Sequence, residues 1–182
     1  MRLYSIIAII IAVAITIIFY QNSKYVLEEN KQVLIVQFGQ VMKAQTAPGT
    51  YYKIPFIQKT HFYDYIIQTA EISHQVPTID KKFLLLKIKA FWRISDPILY
   101  FKSVHSSNNA ANRVEDITEM AGRMVIISHK LDEIINVTNI TDPDNIQSKR
   151  EIEIEIFEIA KAKLLEFGIG LTKLEGKISY PI

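Results

Sequence analysis

Residues 84–94 read LLLKIKAFWRI, and this run decides the fold class. Alternate positions carry apolar side chains: Leu84, Leu86, Ile88, Ala90, Trp92 and Ile94. The positions between them mix lysines and Arg93 with Leu85 and Phe91. This period of two is typical of a strand whose sheet packs on one face and is partly solvated on the other. Asp96-Pro97 should end the strand, because proline cannot donate a hydrogen bond to a neighbouring strand.

Shorter apolar segments on the N-terminal side predict three more strands, at residues 33–38, 51–54 and 61–69. The first ends at Phe38 and is broken by Gly39, and the second stops at Pro55. Between these two strands, Pro48-Gly49 predicts a type II turn, since proline presets φ and glycine accepts a positive φ.

The C-terminal half changes to apolar spacings of three and four, which predicts helices. The first helix should start at a cap on Ser106 or Ser107 and run to about residue 128. The second should begin near Asp142-Pro143 and end at Gly168. It contains EIEIEI, which alternates like a strand, but the following AKAKLLE has high helix propensity and continues the helical period. A last strand is expected over residues 171–178. Strands grouped before helices indicate an α+β fold of mixed or antiparallel strands, two helices and a final strand.

The N-terminus carries the longest apolar run. Residues 3–20 read LYSIIAIIIAVAITIIFY without a charge, which as a helix is about 27 Å long and close to the thickness of a bilayer core. Tyr4 and Tyr20 lie near its ends, where aromatic rings favour the membrane interface. We therefore predict a transmembrane anchor over residues 1–23 and one domain over residues 24–182. A cleaved signal peptide and a buried soluble helix are the alternatives. Charge leaves the orientation open, because basic residues flank both ends.

Several function classes lack their signatures. The chain has no cysteine, and its formal net charge of +2 gives no reason to expect nucleic acid as a partner. Neither a glycine-rich phosphate loop nor a serine nucleophile elbow is present. The four histidines have no second histidine at helical spacing, so we expect no metal site, no cofactor and no catalytic residues. The glutamates of EIEIEI are expected to form a solvated face, with a binding role as the alternative.

The tract from Val33 to Val104 resembles the SPFH superfamily of stomatins, prohibitins, flotillins and the bacterial HflK and HflC proteins. The similarity lies in the order of VLIVQFGQV, PGTYYKIPF, the segment FYDYIIQT and DKKFLLLKIKAFWRISDP, and it returns at FGIGL. This order is most similar to the HflC branch. The family motif residues, to which the resemblance gives a structural role, are Phe38, Gly39, Pro48, Gly49, Pro55, Asp64, Gln68, Trp92, Arg93, Asp96, Pro97 and Gly168.

The resemblance implies a non-catalytic scaffold in the bacterial inner membrane, with its domain in the periplasm. It implies a hetero-oligomer with an HflK-like partner, contact with membrane lipid, and modulation of an FtsH-type AAA protease. A stomatin-like adaptor unconnected with proteolysis and a membrane-tethered hydrolase are the alternatives. The chain departs from the family at Ile66, where an arginine is usual, and in ending before the usual coiled coil. We therefore expect either a fragment or a chain without the part that usually drives assembly.

Overall fold

The computed structural model describes residues 2–130, 134 and 143–179 of the chain. The chain forms two compact units, residues 1–65 and residues 66–182. Taken over the described residues, none of the helices has both the length and the apolar character needed to cross a membrane.

The first unit combines one long helix with five short strands. Its elements are α1 (Arg2–Ser23), β1 (Lys24–Leu27), β2 (Lys31–Gln37), β3 (Gln40–Gln45), β4 (Gly49–Tyr52) and β5 (Gln58–Asp64). β1 pairs with β4, and β2 lies between β3 and β5 in a second sheet. Every pairing is antiparallel.

The core of the first unit forms where β1 meets the central strand β2. Leu27 and Val33 are fully buried, and Tyr25 stacks on the half-buried Tyr51 with ring centroids 5.8 Å apart. β2 is buried along most of its length, as expected for the apolar run at residues 33–38. The predicted strand there is confirmed.

Tyr25 gives this core a dependence on alkaline pH. The residue is 8% exposed, and its hydroxyl has no hydrogen-bond partner among the described residues. Burial, and then the neighbouring Tyr51, raise the pKa of Tyr25 above its ordinary value of about 10. The folded chain therefore holds this proton more tightly than the unfolded chain. That stability is fully present below about pH 10 and is lost as the pH rises through the folded pKa.

We expect Tyr25→Phe to keep the ring packing and to reduce the loss of stability in alkali. Circular dichroism during urea unfolding, repeated between about pH 8 and 12, measures this. Burial also raises the pKa of Tyr63, so the variant should keep part of the alkaline sensitivity. An unchanged pH profile would contradict the role given to Tyr25.

The described residues of the second unit form a two-layer arrangement of one sheet and three helices. Its elements are β6 (Gln68–Pro77), β7 (Phe83–Ile94), α2 (Pro97–Ser103), α3 (Ser107–Ile126), α4 (Pro143–Leu165) and β8 (Ile169–Ser179). β7 lies between β6 and β8, and both pairings are antiparallel.

The core of the second unit lies between the sheet and the helices. The predicted apolar face of β7 is at most 4% exposed at all six positions, so that prediction is confirmed. α3 packs against β6, and α4 packs against α3 and β8. The helical residues buried in this layer include Ala110, Val114, Ala121, Ile152, Ile156, Ala160 and Leu164.

Several predicted boundaries are wrong. The single strand expected at residues 61–69 is two strands, because β5 pairs with β2 in one unit and β6 pairs with β7 in the other. Gly49 has a φ of +156° and already belongs to β4, so Pro48-Gly49 does not form a type II turn, which needs a φ near +80°. The strands β1 and β3 were not expected. Among the described residues, α2 was not expected; it follows Pro97, directly after β7.

The two long helices of the second unit agree with the predictions. Ser106 caps α3 by accepting a hydrogen bond from the Asn109 N–H at 3.3 Å. α4 begins at Pro143 and includes EIEIEI, although it ends at Leu165 rather than directly at Gly168. Helix propensity and the burial of Ile152 and Ile156 therefore outweigh the local strand-like alternation.

Candidate functional site

Four exposed apolar side chains gather at one edge of the first unit. Phe38 is 85% exposed and Phe56 is 82% exposed, whereas Ile54 and Ile57 are about half exposed. We call these four residues the apolar edge. Exposed aromatic side chains in a group of this kind mark contacts with another protein or with a membrane.

Hydrogen bonds from Gln58 join the two loops that make up the apolar edge. Its side-chain oxygen accepts from the Ile54 N–H at 2.8 Å, which closes the loop that carries Phe56. Its Nε2 donates to Gln37 Oε1 at 3.1 Å, next to Phe38. Gln37 and Gln58 are also directly opposite each other in the β2–β5 ladder. The two phenylalanines therefore belong to the same end of one sheet.

The C-terminal end of α1 lies beside the same edge. The Lys53 N–H donates to the Ser23 carbonyl at 2.7 Å, and Lys24 pairs with Tyr52. Lys53 immediately precedes Ile54, so the point where α1 ends adjoins the loop of the apolar edge.

Both phenylalanines have left-handed backbone conformations. Phe38 has a φ of +49° and Phe56 a φ of +67°. Phe38 and Gly39 are the two central residues of the β2–β3 hairpin, where asparagine followed by glycine is the usual pair. A bulky residue with positive φ costs about 1–3 kcal/mol, and such strain is concentrated at functional sites.

Other motif residues meet in the second unit, although they are far apart in sequence. The Asp96 carboxylate caps α2 by accepting from the Ile98 and Leu99 N–H groups at 2.8 and 3.1 Å. Pro97 is the first residue of that helix. The Gly168 carbonyl accepts from the N–H groups of Ser95 at 2.9 Å and Asp96 at 3.1 Å. This junction ties the start of α2 to the end of α4, and Asp96 therefore has a structural task rather than that of a free acid.

The remaining predicted residues lie on several different elements. Tyr4 and Tyr20 are exposed on α1, at 79% and 70%. Pro48 is exposed in the loop before β4, Pro55 is buried and Asp64 ends β5. Gln68 begins β6 and accepts a hydrogen bond from the Ser107 hydroxyl at 3.2 Å. Trp92 is buried, whereas Arg93 is exposed on the same strand.

His74 lies beside two glutamates of α3. Its Nε2 lies 3.3 Å from Glu119 and 3.7 Å from Glu115, and Glu119 also pairs with Arg123 at 2.6 Å. These contacts tie β6 to α3. Over the described ranges, no group of three or more histidine, aspartate or glutamate side chains is arranged to hold a metal ion.

The SPFH domain / Band 7 family matches residues 25–179, which is most of the chain. The chain belongs to this family. Relatives include Protein HflC of Treponema pallidum, 26% identical over 131 residues, which are 71% of this chain and 40% of the relative. Protein HflC of Borreliella burgdorferi is 28% identical over 167 residues, which are 87% of this chain and 51% of the relative.

A third relative carries a functional name. The Modulator of FtsH protease HflC of Escherichia coli K12 is 33% identical over 104 residues, which are 53% of this chain and 30% of the relative. The chain thus spans about half or less of the length of these relatives. It is an HflC-like SPFH protein, and both of its units lie mainly within the SPFH match.

Sequence reasoning missed part of the apolar edge. Phe38 is among the motif residues, but Ile54, Phe56 and Ile57 are not. The available signal was two apolar residues after Pro55, in a segment too short for a strand. Their exposure depends on the pairing of β2 with β5, which local sequence does not reveal.

Proposed function

We propose that this SPFH protein is a non-catalytic scaffold subunit of the bacterial inner membrane that modulates an FtsH-type protease. The observation that carries the proposal is the apolar edge beside the end of α1. A domain that contacts the membrane both through α1 and through the apolar edge has a fixed orientation relative to the bilayer. A scaffold whose subunits lie in one plane requires such a fixed orientation.

We propose residues 1–23 as the anchor and residues 24–182 as one SPFH domain. Residues 3–23 carry no charge in the sequence, and the side chains of α1 that the structure describes are largely exposed apolar ones. Such side chains need a partner or a lipid environment. Tyr20, near the end of the run, is suited to the headgroup region.

The apolar edge supplies the second contact with lipid. Phe38 and Phe56 would enter the interface beside α1, while Lys53 and Lys59 flank the same loop and attract anionic headgroups. Strained, exposed phenylalanines do not stabilise the first unit in water. Burial of their rings in lipid would be favourable and would offset the backbone strain. By family, the domain would face the periplasm.

A scaffold role also fits the chemistry of the second unit. Its motif carboxylate Asp96 is engaged as a helix cap, and His74 is engaged between β6 and α3. Confinement to a plane raises local concentration, so weak lateral contacts add up through multivalency. An HflK-like partner in a hetero-oligomer is part of this proposal.

Affinity purification from membranes tests the proposal. A tagged full-length form of this protein, extracted in mild detergent, should retain an FtsH-type AAA protease and an HflK-like protein. Purified alone, it should not cleave casein. Retention of neither protein would exclude the proposed role and favour an adaptor unconnected with proteolysis. Casein cleavage abolished by a single substitution would favour a hydrolase.

A further inference from the structure

The sheet of the second unit has a solvent-facing surface that is rich in basic residues. Its basic side chains come from the two strands β7 and β8, and they are Lys87, Lys89, Arg93, Lys173 and Lys177. Its acidic side chains are Glu71 and Glu175. We call this surface the basic sheet face. It contains a shallow depression of about 590 Å³ lined by residues of all three strands.

Two lysines of this face lack a counter-ion within the described chain. Lys89 pairs with Glu71 at 3.1 Å and Lys173 pairs with Glu175 at 2.6 Å. Lys87 and Lys177 are directly opposite each other in the β7–β8 ladder, and no carboxylate of the described residues pairs with either. Like charges opposite each other destabilise a sheet, so the stability of this unit does not explain them.

The helix layer carries the complementary charge on its outer side. Glu151, Glu155 and Glu158 are exposed on α4, and Ile154 between them is 53% exposed. Glu158 lies 3.6 Å from Lys161, whereas Glu151 and Glu155 form no ion pair with the described residues. We call this surface the acidic helix face. It contains EIEIEI, the segment whose alternation is unusual for an amphipathic helix.

The two faces also match in spacing and in placement. Glu151 and Glu155 are one helical turn apart, about 6 Å, and opposite residues in a ladder are about 5 Å apart. The buried residues of α4 point towards α3 and the sheet, so the acidic helix face points away from the sheet. Complementary surfaces on opposite sides of one unit favour a head-to-tail contact between copies.

We propose that the basic sheet face of one copy binds the acidic helix face of a second copy of this chain. Lys87 and Lys177 receive Glu151 and Glu155, and Ile154 packs beside the half-buried Leu85. The contact is heterologous, so its repetition generates a ring or a row of subunits. This inference rests on the proposed scaffold function and assigns the surfaces by which copies of this chain contact each other within the hetero-oligomer.

Charge reversal of the full-length protein in detergent tests the contact. Lys87→Glu with Lys177→Glu, and separately Glu151→Lys with Glu155→Lys, should each weaken self-association at least about tenfold by analytical ultracentrifugation. Combining all four substitutions should restore it, because the charges are again opposite. Lys43→Glu with Lys102→Glu is the matched control and should associate as wild type. Association of the wild type should also fall at about 1 M salt.

Cysteine cross-linking tests the head-to-tail geometry, since the native chain has no cysteine. Lys177→Cys mixed with Glu155→Cys should form a disulfide-linked dimer, whereas neither variant alone should cross-link. Cross-linking of Lys177→Cys with itself would overturn the proposal. So would a wild type that is monomeric in detergent and in vesicles, or reversal variants that assemble normally. Those outcomes leave protease co-purification unaffected, so the two proposals fail separately.

Discussion

Gly168→Ala is expected to lower the free energy of unfolding of the second unit by at least about 3 kcal/mol. Gly168 has a φ of +73°, which a residue with a Cβ adopts only under strain. An added Cβ would overlap the Asp96 carbonyl oxygen and lie 2.7 Å from the Tyr100 nitrogen. Both are backbone atoms, so the clash has no side-chain rotation to relieve it. The start of α2 would have to separate from the end of α4.

Fluorescence of Trp92 during urea unfolding measures this effect. Trp92 is the only tryptophan of the chain and is 1% exposed in the core of the second unit, so its signal reports on that unit. Gly176→Ala is the matched control, because its Cβ would meet only the flexible end of Glu153 at 3.4 Å. We expect that control to stay within about 1 kcal/mol of wild type. Equal effects of the two substitutions would refute the account of the junction.

The junction at Gly168 also shows how far the sequence predicts this fold. The period of two in β7 and the cap at Ser106 are local signals, and the structure confirms them. That Gly168 contacts Asp96 depends on how β8 and β7 pair, which no local pattern encodes. The split between β5 and β6 has the same cause, because the same extended run serves two different sheets.

The candidate site was less predictable than the fold. Exposed apolar residues in a loop resemble core residues when only the sequence is read, so Phe56 and Ile57 gave no distinct signal. Phe38 was noted as the end of a strand, yet it lies at the tip of a hairpin with a positive φ. These side chains form an exposed surface because they lie together at the end of a sheet, which their residue types alone do not reveal.

Removal of α1 should abolish stable membrane anchoring. Only a weaker, reversible contact through the apolar edge should remain. We expect the full chain to stay with the membrane pellet through washes at high salt and at high pH. A chain that begins at Lys24 should bind vesicles of mixed zwitterionic and anionic phospholipid reversibly. Burying one phenylalanine in the interface contributes about 1.5–3 kcal/mol, so losing Phe38 or Phe56 should weaken that binding at least about tenfold.

Asparagine is the informative replacement at both positions. Asparagine tolerates positive φ and is a favoured residue in hairpin turns, so Phe38→Asn and Phe56→Asn should relieve backbone strain rather than unfold the unit. Phe83→Asn is the matched control, because Phe83 is 55% exposed at the start of β7 in the second unit. Vesicle flotation with each variant distinguishes a specific lipid contact at the apolar edge from a general effect of exposed aromatic side chains. Binding that falls for the apolar-edge variants and persists for Phe83→Asn supports a lipid contact at this edge, since a general loss of exposed aromatic area would weaken all three equally.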